Sequence, residues 1–525
     1  MKSVLLKYGF RMALCLFLVS ITTHNSSAQV VKQDLIGTDK LKKYISYFNS
    51  VDTETIKNYI PNDKAFAWLS ANIPLFECPD TALQKIYYYR WWTFRKHLKQ
   101  TEDGFVFTEF IVPMNHGGKH NTISSALGHH IYEGRWLRDT QYVNQYVNFW
   151  LYTDKQMAKP HLHAFSSWLD NAVYNYYLVN MNKSFIEKNI AELDKDYRLW
   201  EQEKQLPDGK FWQFDVRDAM EESISGGRKE KNVRPTINSY MYGNADALAK
   251  MAKLVGNDTL QKMYEKKAAF LKAVVQDYLW SDTASFFEAR HENKKFANAR
   301  EEIGFIPWYF NLPDDKAKYA AQWNQLTDEK GFKAPWGITT AERRHPEFRT
   351  HGSGHSCEWD GAVWPFATTQ TLKGLSNLLT RNQQHGVMSA KIFYDELRKY
   401  ALSHTKNNLP YLGEYQDEKT GYWLKGDNPR SSYYNHSGFA DLIINDLVGL
   451  KPRPDDILEV YPLIPAGKWD WFCLEKIMYH GKRVTIFYDK SGKKYNRGKG
   501  FYIFADNKQI FRGETVKHVL VKMDG

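Results

Sequence analysis

The sequence predicts a mainly α chain in which stacked helical hairpins close into an α/α toroid, followed by a small β domain. Three observations carry this. From about Asp80 to Leu450 one amphipathic helix follows another, roughly ten to twelve in all. Short turns alternate with long polar loops between them. After Lys451 the hydrophobic period changes from helical to two. No fixed-period sequence repeat accompanies the helices, which argues against an open solenoid.

The elements follow in order. Lys2, Lys7 and Arg11 precede the apolar run Met12 to Ile21, and "SSAQ" offers small residues for cleavage after Ala28; this pattern predicts a signal peptide and an exported, periplasmic or secreted, mature chain. No later run is long and apolar enough to span a bilayer, so no membrane insertion is expected. Residues 29–75 are less regular and read as a leading segment. The toroid is assigned to 76–450. "DTALQKIYYYRWWTFRKHL" starts on Asp80 as an N-cap. In "NSYMYGNADALAKMAKLVGN", Met241, Ala245, Leu248, Ala252 and Val255 recur at helical spacing, and Gly256-Asn257 stops the helix. Pro365 fits a first helical turn, where its missing N–H costs nothing. The β-rich domain is assigned to 451–525, with Asp506-Asn507 as a hairpin turn.

Composition narrows the function. The formal net charge is +11; the leader carries three of these charges and no acid, leaving +8, scattered rather than gathered into a basic arm, so nucleic acid is not expected as a partner. Cys78, Cys357 and Cys473 form neither a disulfide framework nor a CxxC metal site. "GHH" (128–130) and "HLH" (161–163) lack the i, i+4 spacing of a helical zinc site, and neither a metal nor a cofactor is expected. Aromatic residues make up 15% of the chain, with 17 Trp and 33 Tyr. Carbohydrate sites use such side chains, because the C–H face of a sugar stacks on an aromatic ring while its hydroxyls seek polar partners.

Three loops combine acids with aromatics, each leading into a helix. The first, "FWQFDVRDAMEESISGG" (211–227), holds Asp215, Asp218, Glu221 and Glu222 ahead of Arg234 and Asn238. The second, "HSCEWDGAVWP" (355–365), holds Glu358, Trp359, Asp360 and Trp364. The third, "LPYLGEYQDEKTGYW" (409–423), holds Glu414 and Tyr415 ahead of His436. Loops entering helices on one toroid would meet at one rim. Carboxylates held among aromatics suit glycoside hydrolysis: one, with a raised pKa, protonates the leaving oxygen, and a second, kept ionised, activates water or attacks the sugar. Taken singly, the same acids could cap helices or pair with Arg217, Arg234 and Arg135.

These stretches resemble a family. "EWDGAVWPFATTQTLKGL" is similar to the W-[DR]-G-P-[VI]-W-P loop of six-hairpin glycosidases in the trehalase, family 63 α-glucosidase and mannosylglycerate hydrolase-like group. "INSYMYGNADALAKMAKLVG" resembles the helix after their acid loop, and "GEYQDEKTG…HSGFADLIINDL" their closing region. The resemblance implies an (α/α)6 barrel and an inverting hydrolase acting on an α-linked sugar, with an oligosaccharide or polysaccharide-derived substrate. The family's G-W-D-x-S motif reads A-M-E-E-S here. That puts Glu221 at the general-acid position, with Asp218 open as an alternative, and the E-x-Y motif puts Glu414 at the general base. The F-x-W-T ending reads "GFAD", so the wall beneath the reactive sugar differs. Trp359, Asp360, Trp364 and Glu358 are expected to line the reactive-sugar pocket, with Arg135, Trp136, Trp168, Arg234, Asn238, Tyr415 and His436 in its walls. The alternatives are an epimerase or polysaccharide lyase on the same toroid, using His116, His129, His355 or His436 as base, and a non-catalytic glycan-binding protein.

Overall fold

The computed structural model describes residues 34–157, 161–350 and 357–523. The signal-peptide assignment and His355 lie outside the described residues. The helices are α1 Thr38–Ser50, α2 Asn62–Asn72, α3 Thr81–Lys96, α4 Leu127–Gly134, α5 Gln141–Asn148, α6 Leu169–Asn180, α7 Lys183–Lys204, α8 Pro235–Leu254, α9 Asp258–Ala273, α10 Ile306–Tyr309, α11 Ala317–Ala320, α12 Asn324–Thr327, α13 Pro365–Arg381 and α14 Ala390–Ser403.

Neighbour relations close these into an (α/α)6 toroid. The inner ring runs α4, α6, α8, α10, α13 and the helical turn Leu442–Leu447, each packed against the next. α5, α7, α9, α11 with α12, and α14 lie outside them, and α3 packs beside α14. The inner helices are buried almost all round; every residue of α13 from Pro365 to Leu379 is buried. Close packing also constrains residue size: a Cβ at Gly128 in α4 would lie 2.1 Å from the indole of Trp168.

The first and last inner elements are joined by polar contacts. The Glu133 carboxylate accepts the backbone N–H groups of Phe439, Ala440 (3.1 Å) and Asp441 (3.3 Å), capping the closing turn from α4. Asp441 in turn binds Arg135 (2.6 Å), Trp136 Nε1 (2.7 Å) and Lys373 (3.0 Å).

Beyond the toroid, strands Trp471–Tyr479, Lys482–Asp489, Gly500–Ala505 and Lys508–Gly513 form an antiparallel sheet. Leu75–Glu77, at the junction between leading segment and toroid in the sequence, adds a fifth strand at the edge of this sheet, pairing with Cys473–Glu475. The Glu475 carboxylate also receives the N–H groups of Leu35 and Ile36, both at 3.0 Å. Cys78, Cys357 and Cys473 are unbridged. No helix of the described residues is long and apolar enough to cross a membrane.

Candidate active site

The three acid-aromatic loops meet. The Trp359 N–H donates to the carbonyl of Glu221 at 3.3 Å, joining the second loop to the first. Val363 and Gln416 exchange both backbone hydrogen bonds at 2.9 Å, joining the second to the third. All three lie at the end of the barrel where α8 and α13 begin, because Arg234 and Trp364 stand at N-cap positions with proline following.

The loop carrying Glu221 is shaped by buried side chains beneath it. Asn238 on α8 accepts the Phe211 N–H (3.0 Å) and donates to the Phe211 carbonyl (2.8 Å). Arg234 binds Asp218 at 2.7 Å, the Ser225 carbonyl at 3.3 Å and Ser223 Oγ at 3.2 Å. Asp218 also receives the Ser166 hydroxyl at 2.6 Å. The side chains of Asp218 and Arg234 are both wholly inaccessible, so this pair anchors the loop from inside. The backbone around Glu221 departs from ordinary conformations: Ala219 (φ 58°) and Glu222 (φ 63°) are left-handed without being glycine. Such residues cost about 1–3 kcal/mol each and persist where surrounding structure holds them.

Glu221 itself has no ion-pair partner among the described residues. Burial raises its carboxyl, with the nearby charges of Glu414 and Asp215 adding to the effect, to about 7. Glu414 is held differently. Arg430 donates to both its oxygens at 3.0 Å, Ser431 Oγ donates at 3.3 Å, and Cys357 Sγ lies 3.6 Å away. Burial raises Glu414 as well, but Arg430 opposes this and favours the carboxylate. Both acids are raised by burial, but only Glu414 has a cation bound to it that favours its ionised form, an asymmetry that suits an acid and base pair.

The walls are aromatic. Trp359 stacks on Trp364 at 4.4 Å between centroids, and Trp364 on Tyr415 at 4.5 Å. Phe366 and His436 close the stack from below, and His436 Nε2 lies 3.2 Å from the Glu414 carbonyl. Burial holds His436 neutral, near 3. Trp168 is fully buried deeper in the barrel, packed on His129, Tyr240 and Phe366. Glu358 is buried, its carbonyl accepting the Trp364 indole at 2.9 Å, while Asp360 pairs with Arg349 at 2.5 Å. Beside them, a cleft of about 510 Å³ opens between Glu222–Arg228 and Pro346–Arg349.

Arg135 and Trp136 are not brought to this site. They follow the C-terminus of α4, whereas the site loops lead into helix N-termini, and their polar groups serve the Asp441 network. Arg234 and Asn238 support the loop from beneath rather than face the aromatic stack. Three residues were not singled out from sequence. Glu109 is fully buried, within hydrogen-bonding distance of Ser125 (3.4 Å), and burial together with the charges of Glu414 and Glu221 raises its carboxyl well above the usual range. Arg430, in "NPRSSYYNHS", and Cys357, left-handed at φ 70°, are the other two. A lone acid in the strand-like "FTEFIVP" carries no motif. Arg430 could have been marked as the loop cation downstream of an expected base.

Paired carboxylates beside an aromatic stack, at one rim of an (α/α)6 barrel, match the arrangement of a glycoside hydrolase domain. The model of the mannosylglycerate hydrolase MGH1-like glycoside hydrolase domain matches residues 119–437, and the chain belongs to that family. A solved chain named as a sialidase is similar over 93% of this chain at 48% identity, with a TM-score of 0.90. A curated uncharacterized protein of Borreliella burgdorferi is 24% identical over 205 residues, which is 39% of this chain. The chain spans less than half of either relative, 45% of the first and 41% of the second. The family 78 rhamnosidase of Bacillus sp. GL1 shares the fold, with a TM-score of 0.57 at 10% identity over 79% of this chain and 40% of its own.

Proposed function

We propose that this glycosidase is exported, removes a terminal α-linked sugar, and works with inversion, with Glu221 as general acid and Glu414 as general base. The observation that supports this most is the contrast between the two carboxyls. Glu221 is raised to about 7 without a cationic partner, so a large share of it stays protonated near neutral pH, where an ordinary carboxyl would be ionised. Glu414 is clamped by Arg430, which opposes the effect of burial, favours the carboxylate and orients it. Asp218, the alternative acid, is committed to Arg234 and Ser166, which favours Glu221 for proton donation. In an inverting reaction Glu414 draws the proton from a water that attacks the anomeric carbon, while Glu221 protonates the departing oxygen on the opposite face. Asp360 reaches the cleft beside the buried Trp359–Trp364–Tyr415 stack, where it supplies an acceptor for sugar hydroxyls.

A screen of aryl glycosides and oligosaccharides, followed by early-time NMR of the released sugar, tests the reading. The expected product is the anomer opposite to that of the substrate. Retention would make Glu414 a nucleophile. N-terminal sequencing of the exported protein, expected to begin at Gln29, tests the leader assignment.

A further inference from the structure

A second concavity, of about 830 Å³, lies on the same face, between the loop before α4 and the loops before α6 and α8. Its wall includes Phe214 and Arg217, on the loop that carries Glu221, and it reaches His116, which senses the charge of Arg430 beside Glu414. Most of its lining charges are already matched. Lys155 and His163 pair with Asp196 at 3.2 and 3.1 Å, His163 also with Glu203 at 2.9 Å, and Lys195 with Glu192 at 3.5 Å. Lys204 and Arg217 are different: among the described residues neither has a carboxylate within 4.0 Å. Instead Lys204 stands 4.4 Å from the ring centre of Trp212, and Lys231 lies 5.1 Å from the same ring. Lys204 is depressed by burial, with the charges of Arg217 and Lys231 adding to this against the nearby acids. Arg217 in turn lies 6.0 Å from the ring of Phe165.

Lys204 is half-buried and Arg217 exposed; cations held near one another with no carboxylate between them favour an anion, and aromatic faces beside cations suit a charged sugar better than a free ion. Resting on the glycosidase reading, we propose that Lys204 and Arg217, with Phe165 and Phe214, form a subsite for an acidic sugar residue, bearing a carboxylate or a sulfate, that neighbours the residue being cleaved. The substrate is then an anionic glycan.

Titration calorimetry with matched probe pairs tests this: trigalacturonate against neutral galactotriose, and a carrageenan-derived sulfated tetrasaccharide against its desulfated form. At least one charged probe should bind about tenfold or more tighter than its neutral twin, and the arm that does so distinguishes carboxylate from sulfate. The advantage should shrink between about 50 and about 300 mM NaCl. The double variant Lys204→Met/Arg217→Gln should abolish it, and the exposed single variant Arg217→Gln, least able to disturb folding, should remove part of it. The charge-matched control Lys493→Met/Arg497→Gln should leave it intact. The proposal is overturned if neither charged probe outbinds its twin, or if the control erases the advantage as fully as the groove variants. Binding requires no turnover, so failure of the glycosidase mechanism would leave this measurement readable.

Discussion

Arg430 reaches back to Glu414 and donates to both carboxylate oxygens at 3.0 Å. A forked guanidinium fixes a carboxylate in orientation as well as in charge. Arg430→Met should therefore raise the pKa of Glu414 and move the acidic limb of the pH–rate profile upward. Arg430→Lys, which keeps the charge but loses the fork, should restore the position of that limb better than it restores kcat.

Glu221 sets the other limb. Its carboxyl is raised to about 7 by burial and by the charge of Glu414. A general acid works while protonated, so kcat/KM should fall as pH rises through about 7. Removing the neighbouring charge in Glu414→Gln lowers the proton affinity of Glu221, and the residual activity should lose its basic limb at a lower pH. A limb unmoved in that variant would mean that the two groups do not sense each other.

Glu109 is the third acid of the cluster and is expected to be neutral, since burial and two like charges oppose its ionisation. Glu109→Gln conserves shape and charge state at neutral pH. It should change the melting temperature little and leave both pH limbs in place. Glu109→Ala, which opens a cavity and strands polar neighbours, should destabilise by about 2–4 kcal/mol, measured by denaturant unfolding.

The Asp218–Arg234 pair anchors the acid loop with both side chains inaccessible. Asp218→Asn leaves an uncompensated buried guanidinium and should cost about 3–5 kcal/mol of stability. Activity should fall with stability, and an activated leaving group should not rescue it.

At ring closure, Glu133 caps Phe439, Ala440 and Asp441. Glu133→Ala strands these buried N–H groups and should destabilise by on the order of 3 kcal/mol. Glu133→Gln, which keeps one acceptor oxygen, should lose less.

Much of this was legible in the sequence because helices and rim loops differ in composition. Met241, Ala245 and Leu248 mark α8 by spacing alone, and Pro365 marks the start of α13. The acids of 211–227, 355–365 and 409–423 stand out because no helix interior needs such clusters. The resemblance places Arg135 and Trp136 in the pocket walls, whereas in the fold they follow the C-terminus of α4 and bind Asp441. Composition does not reveal which end of a helix faces the site, and only the loops before N-termini do so here. Leu75–Glu77 pairs with Cys473–Glu475, a partner far away in the chain, and long-range pairing of so short a strand leaves no local pattern. Glu109 and Arg430 gain their importance only from where the folded chain brings them.

The assignment of acid and base is tested most directly by leaving-group dependence. Glu221→Gln and Glu414→Gln should each lower kcat on an unactivated glycoside, each losing a proton transfer worth about 10²–10⁴. On an activated aryl glycoside, whose leaving group barely needs a proton, Glu221→Gln should recover much of its rate and Glu414→Gln should not. Recovery in the Asp218 variant instead of the Glu221 variant, or in the Glu414 variant, would contradict the account.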